Sequence, residues 1–285
     1  MNQPEQIAKA EAFRAMHDRS RILVLPNAWD AASALVFEEA GFKAIATTSS
    51  GIANALGYPD GQVTPRGEML FMIGRIARSV TVPVTADIEA GYADDLATLK
   101  ETIAMVIDAG AIGINLEDSM MNRGKPIIEL DAAVARVRAA REAAQAAGVP
   151  IVINARTDVY LHGIGERDAR FDDAVRRANA YREAGADSLF VPGVRDAAVI
   201  GKLAAALKGP LNILAGPGTP PASELEKLGV ARVSVGGGPA RAAMTTTRNV
   251  ARELLERGTY QSCVDGVISH PEANKLMTRH RATPT

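Results

Sequence analysis

Asp87 and Glu89 lie two residues apart in VPVTADIEAGYADD, residues 82–95, at the end of an apolar run. Side chains two apart on a strand share a face, so the two carboxylates are expected to project together. Like charges that close resist joint ionisation, and taking each out of water costs on the order of several kcal/mol, so a positive charge must offset them. Arginines or a helix N-terminus would supply it as part of the framework; a bound cation would supply it as part of a site. Similar short runs carry more polar groups: Glu117 and Asp118 in NLEDS, Arg156 and Asp158 in NARTD, Thr48, Ser49 and Ser50 in TTSSG, and Asp60 in ALGYPDG. Zinc wants closely spaced His or Cys, but the histidines stand apart at 17, 162, 270 and 280 and Cys263 is single. Oxygen donors alone suit Mg²⁺, with Mn²⁺ as an alternative, and Mg²⁺ takes one or two direct carboxylates and keeps its other positions for water or substrate.

A Schiff-base mechanism needs a lysine at a strand end, and none is there: Lys43 precedes a strand, Lys100 falls in a helix and Lys125 in a loop. Lewis-acid chemistry on a 2-oxo or 2-hydroxy acid is the route left, with the ion stabilising an enolate as a bond beside the carbonyl breaks. Arg156 has the two-pronged guanidinium to hold a carboxylate or phosphonate; its competing role is as a structural partner of Asp158 or Glu117. His162, in VYLHG, is a candidate acid or base that a solvated loop histidine would equally explain. Trp29 either lines a pocket or covers the barrel top, and Asp30 reads as a helix N-cap. The glycine-rich VSVGGGPARAA (233–243) and LAGPGTPP could cradle a phosphate, or simply allow close packing.

Eight strand–helix units would position these groups. Val- and Ile-rich runs at 22–28, 44–50, 82–89, 113–119, 150–157, 188–192, 211–216 and 231–237 read as strands. Ala-rich segments at 30–40, 65–79, 94–109, 129–147, 168–184, 196–207, 220–228 and 239–258 read as helices, several ending in glycine before the next strand. Regular alternation without a GxGxxG turn fits an α/β fold of the (β/α)₈ TIM-barrel type better than an open doubly wound sheet. The candidate residues then gather at the C-terminal ends of strands two to five, where barrels carry their sites. Residues 1–258 are expected to form one barrel domain and 259–285 a helical tail packing on a neighbouring subunit, with ISHPEANKLMTRH as its last helix.

The totals agree. Among 285 residues, 47% are hydrophobic and only 4% aromatic, so Ala, Val, Ile and Leu must build the core. The 32 basic and 33 acidic residues nearly cancel, which gives no reason to expect nucleic acid or an anionic membrane as partner. No apolar run reaches the roughly 18 residues of a span, the N-terminus lacks a signal-peptide core, and the single cysteine points to a reducing, cytoplasmic setting.

ADIEAGY, NLEDS and NARTD, with TTSSG and YPDG upstream, resemble the isocitrate lyase/phosphoenolpyruvate mutase superfamily from about residue 20 to 245. The resemblance implies a Mg²⁺-dependent barrel acting on 2-oxo or 2-hydroxy acids through an enolate, and a homotetramer that exchanges its last barrel helix between subunits. By position, Asp87 matches the direct metal ligand, Glu89 and Glu117 match acids holding metal-bound waters, and Asp60 matches the loop aspartate that orders them. Thr48, Ser49 and Ser50 match the segment gripping the acid end of the substrate, and Arg156 its arginine. The chain departs from the lyase branches in one respect: the loop after strand four reads MMNRGKPII, without their K-[KR]-C-G-H motif. The phosphonate branches carry a K-T-N-S-type run, and Asn122 and Lys125 are present in a different arrangement. Glu89 stands where Asp is common. The first reading is therefore a lyase-type enzyme cleaving a C–C bond in a small 2-oxo or 2-hydroxy (di)carboxylate, its proton handled by an ordered water, Arg123, Lys125 or His162. The alternatives are a phosphonate P–C bond enzyme, mutase or hydrolase, and a non-catalytic 2-oxo acid binding protein.

Overall fold

A computed structural model describes residues 2–120 and 123–280; Asn122, weighed above for its place in the loop after the fourth predicted strand, lies outside the described residues. The chain begins with α1 (Gln3–Ala15), a helix the strand–helix count did not include. Then follow β1 (Leu23–Leu25), β2 (Asn27–Ala28), α2 (Ala31–Glu39), β3 (Ile45–Thr47), α3 (Ser49–Ala55), α4 (Arg66–Ser79), β4 (Val84–Asp87), α5 (Leu96–Asp108), β5 (Gly113–Glu117), α6 (Leu130–Ala146) and β6 (Val152–Arg156). The second half comprises α7 (Arg170–Glu183), β7 (Ser188–Phe190), α8 (Ala197–Ala206), β8 (Leu211–Leu214), α9 (Ala222–Lys227), β9 (Arg232–Ser234), α10 (Gly238–Arg257) and α11 (His270–Thr278).

All strand pairs are parallel, in the order β1-β9-β8-β7-β6-β5-β4-β3-β2. β1 and β2 are one barrel strand broken at Pro26, which has no N–H for the ladder; Leu23 pairs with Arg232 on one side and Asn27 with Ala46 on the other. The result is the expected (β/α)₈ TIM-type barrel. Gly41, Gly110, Gly148, Gly185 and Gly229 all take positive φ just past a helix, the left-handed turn that only glycine adopts freely. Asp30, Asp95 and Asp196 cap α2, α5 and α8 through their side chains.

The barrel interior departs from the all-aliphatic core the composition suggested. Its lower end is apolar, closed by Ala10 and Phe13 of α1 against Leu25, Ala46 and Val152. Above this plug the register aligns Asp87, Asn115, Asn154 and Ser188 across β4 to β7, and Arg232 with Asn212 across β9 and β8. Polar side chains fill the centre.

α11 opens with a Ser269–Glu272 capping box and packs on α2 of its own chain, with Leu276 buried and His280 paired to Glu38. Among the described residues no helix is long and apolar enough to cross a membrane.

Candidate active site

The site begins where β3 turns into α3. The predicted strand over 44–50 ends at Thr47, because Thr48 becomes the N-cap of α3, its hydroxyl accepting from Gly51 N at 3.4 Å. A Cβ on Gly51 would stand 2.6 Å from Thr48 Cγ2 and 2.9 Å from Trp29 Cβ, so only glycine lets the helix start this tightly. Ser49, the first helical residue, donates to Asp87 Oδ2 through its backbone N–H (3.0 Å) and its hydroxyl (2.8 Å). Asp87 N–H donates to Thr47 Oγ1 at 2.9 Å. Asp87 is thereby fixed from one side, and its other oxygen, Oδ1, is buried without a partner. A buried carboxylate oxygen left without a donor is costly, and a cation is one way to satisfy it.

Asp87 and Glu89 do come together, but through a turn rather than strand pleat. β4 stops at Asp87, and Glu89 sits at φ 51°, a left-handed conformation rare for non-glycine residues and frequent at functional sites. Tyr92 donates to Glu89 Oε1 at 2.8 Å. Burial raises the Glu89 carboxyl to about 7; Tyr92 opposes the rise, while the charges of Asp87 and Asp60 add to it.

Opposite these acids, Arg156 is engaged twice, with Glu117 at 2.7 Å and Asp158 at 2.6 Å, and its guanidinium lies 5.7 Å from the centre of the Phe190 ring. Both partners foreseen as its structural role are therefore present, and Nη2 is in neither bond. Burial holds the Glu117 carboxyl well above the usual range despite Arg156. Burial also works against the Arg156 charge, but Asp158, Glu117 and Asp87 outweigh it and raise its pKa. Asp118 turns away: it accepts from Tyr181 Oη at 2.6 Å and Asp158 N at 2.9 Å and anchors α7.

Ser49, Asp60, Glu89, Glu117, Arg156 and His162 line one cavity of about 120 Å³. Asp60 is an exposed residue, but burial of its carboxyl against the acids, with Asp87 nearby, raises it above the usual range. His162 Nε2 lies 3.2 Å from Ser119 Oγ and 3.6 Å from Asp158 Oδ2. Of the other proton handlers considered, Arg123 pairs with Asp94 at 3.1 Å outside the cavity. Thr48 and Ser50 face another way: their hydroxyls are 3.1 Å apart, and a Cβ on Gly237 would stand 2.5 Å from Ser50 Oγ and 3.0 Å from Arg241 Nη1. The glycine-rich turn thus serves close packing, and its Val235 and Gly236 N–H groups both donate to Asn27 Oδ1 at 2.9 Å.

Among the described residues no three His, Cys, Asp or Glu side chains converge into a ready-made metal cage. The donor set offers the free Oδ1 of Asp87, buried behind Ser49, and the carboxylates of Glu89, Glu117 and Asp60 on the wall of the cavity that Ser49 lines. That arrangement fits a hard cation held by few direct carboxylates and otherwise by water. Tyr92, Ser119 and the polar barrel centre were not foreseen. Asn115, Asn154 and Asn212, each inside an apolar strand, were the available signal for the last.

A family model described as phosphoenolpyruvate phosphomutase matches residues 13–255. The chain belongs to the phosphoenolpyruvate phosphomutase family. It stands within the superfamily that family shares with isocitrate lyase. A Burkholderia cenocepacia J2315 crystal structure, provisionally named as a phosphonomutase, is 45% identical, with TM-score 0.82 over 86% of this chain and 99% of that one. The Escherichia coli K12 2-methylisocitrate lyase is 30% identical over 92% of this chain and 90% of its own length. A phosphonopyruvate hydrolase crystallised with oxalate and Mg⁺⁺ is 25% identical, with TM-score 0.84 over 96% of each chain.

Proposed function

We propose that this chain is a Mg²⁺-dependent lyase that breaks a C–C bond in a small 2-oxo or 2-hydroxy dicarboxylate. The observation that carries the reading is the unpartnered Oδ1 of Asp87, buried behind Ser49, which bonds its other oxygen and lines a small acidic cavity together with Glu89, Glu117 and Arg156. Asp87 is the direct ligand, with Glu89, Glu117 and Asp60 holding the ion's waters; Mn²⁺ would be accepted in place of Mg²⁺. When bound, the ion supplies a Lewis acid that stabilises the charge developing beside the substrate carbonyl. Arg156, through the guanidinium edge not committed to Glu117 or Asp158, binds and orients a substrate carboxylate, with Ser49 at the facing wall. Thr48 and Ser50 hold the start of α3 so that Ser49 keeps its place. His162, on the cavity wall with Ser119 and Asp158 beside Nε2, carries the proton that the missing loop cysteine would otherwise handle. The lyase and the hydrolase holding oxalate and Mg⁺⁺ among the relatives support the ligand class and the ion.

A phosphonate P–C bond enzyme is the second reading, favoured by the provisional name of the 45%-identical relative. Oxaloacetate and phosphonopyruvate assayed side by side, with Mg²⁺ and with EDTA, separate the two. EDTA-sensitive cleavage of the oxo acid supports the lyase, whereas phosphate release from phosphonopyruvate alone replaces it with the phosphonate reading. Ligand binding without turnover on either would leave a 2-oxo acid binding protein.

The exposed α10 supports a homotetramer that exchanges this helix. Beyond Ala240 nearly all of α10 is exposed, Leu255 at 88%, while Val24 on the outward face of β1 is left 41% exposed where the ring of helices should cover it. A free, exposed Cys263 fits a reducing, cytoplasmic setting.

A further inference from the structure

Among the described residues, Arg232 is a cation inside the barrel with no part in the proposed chemistry. It is 0% exposed, at the start of β9. One nitrogen, Nη2, donates to Asn115 Oδ1 at 3.3 Å, and the guanidinium lies 6.0 Å from the centre of the Phe13 ring. Nε and Nη1 are buried without a protein partner, and among the described residues no carboxylate lies within ion-pairing distance. Such a charge is among the least stable things a core can contain, and barrel interiors are normally filled with branched aliphatic side chains. A role in packing alone would be better met by leucine or methionine.

Its surroundings say which charge it answers. Below it, His17 is neutral at physiological pH, because burial and then Arg232 push it down to about 4. Asp187, on that lower side, is committed to Arg14 and Arg141. Above it, Asn115 accepts from Arg232 and from Asn154 Nδ2 (2.7 Å) on the same oxygen and is register-paired with Asp87. Asp87 is the acid whose charge Arg232 feels, and among the described residues no cation is in ion-pair contact with it: Arg156, which feels its charge too, is in contact with Glu117 and Asp158 instead.

We propose that Arg232 is a built-in counter-charge for the acid site, standing beneath Asp87 and holding Asn115 as the site's floor. The acids can then remain together with or without a bound ion, at the expense of ion affinity, because Arg232 and the ion repel. This inference rests on the Mg²⁺ reading of the site. It requires that removing the charge while keeping the bulk make the acids depend more heavily on the ion.

Calorimetric titration with MgCl₂ and melting temperatures in EDTA and in saturating Mg²⁺ test it on the intact protein and on Arg232→Met and Arg232→Lys. Arg232→Met is expected to bind Mg²⁺ tighter, by roughly tenfold or more for the loss of a nearby like charge in a medium of intermediate dielectric, and to show a larger Mg²⁺-induced rise in melting temperature. Arg232→Lys keeps the charge and should stay within about twofold of the parent. If methionine prevents folding, Arg232→Gln makes the same comparison. Equal Mg²⁺ affinity in the neutral variant and the parent overturns the counter-charge and leaves the metal site standing. No Mg²⁺ binding to the parent overturns both.

Discussion

With Oδ2 taken by Ser49, Asp87 has one carboxylate oxygen left for a cation. Asp87→Asn keeps the shape and removes the charge. Supporting residues around metal ligands typically matter about 10–100-fold, so loss of the direct ligand should weaken Mg²⁺ binding at least about a hundredfold, with the circular-dichroism spectrum unchanged. Unfolding of the variant would instead mark Asp87 as a structural acid. Glu89 gives a prediction in the metal-free protein. Its folded carboxyl is raised from 4.5 to about 7, so the protonated form is favoured by folding. The stability it contributes is therefore complete below about 4.5 and is lost as pH rises through about 7. Urea unfolding in EDTA should show stability falling over that window, and Glu89→Gln should flatten the slope; an unchanged slope would place the titration elsewhere. That oxygen donors rather than clustered His or Cys line the cavity was legible in the sequence. Which oxygen is free was not, because it depends on Thr48 capping α3 and turning Ser49 toward Asp87.

Elements were read well where a local pattern marks them. The alternation of apolar runs with Ala-rich segments located each barrel strand, and the glycines at 41, 110, 148, 185 and 229 marked five helix ends. Pro26 splitting the first strand, and α3 replacing the end of the second, were missed because each depends on neighbours: a ladder position without N–H, and a glycine pressed between Thr48 and Trp29. The loop after β6 carries His162 and is held to the barrel at Gly193, which has φ 90° and whose added Cβ would meet Leu161 Cα and N at 2.8 Å. Gly193→Ala combines a strained φ with a backbone clash, so it should cost about 1–3 kcal/mol and displace this loop. Turnover should fall while Mg²⁺ affinity holds. A parallel loss of both would show that the loop also builds the ion site.

The whole molecule is a barrel whose open end is acidic and whose centre is polar, with one long helix left uncovered. α10 exposes Met244, Leu254 and Leu255, apolar side chains that a neighbouring subunit would cover in the proposed exchange. Light scattering should report a tetramer, and Leu255→Glu should lower its mass; a monomer at micromolar concentration would leave α10 without its proposed role. The sequence suggests such an assembly only by resemblance, since a helix that leaves its own barrel would have the same local pattern as one that stays. Crystals soaked in Mn²⁺ and oxalate show whether the acids gather a divalent ion against a small oxo acid. An anomalous peak bonded to Asp87 Oδ1 is expected, with oxalate between the ion and Arg156. A cavity without a peak, or a peak that Asp87 does not touch, would contradict the proposed ion site.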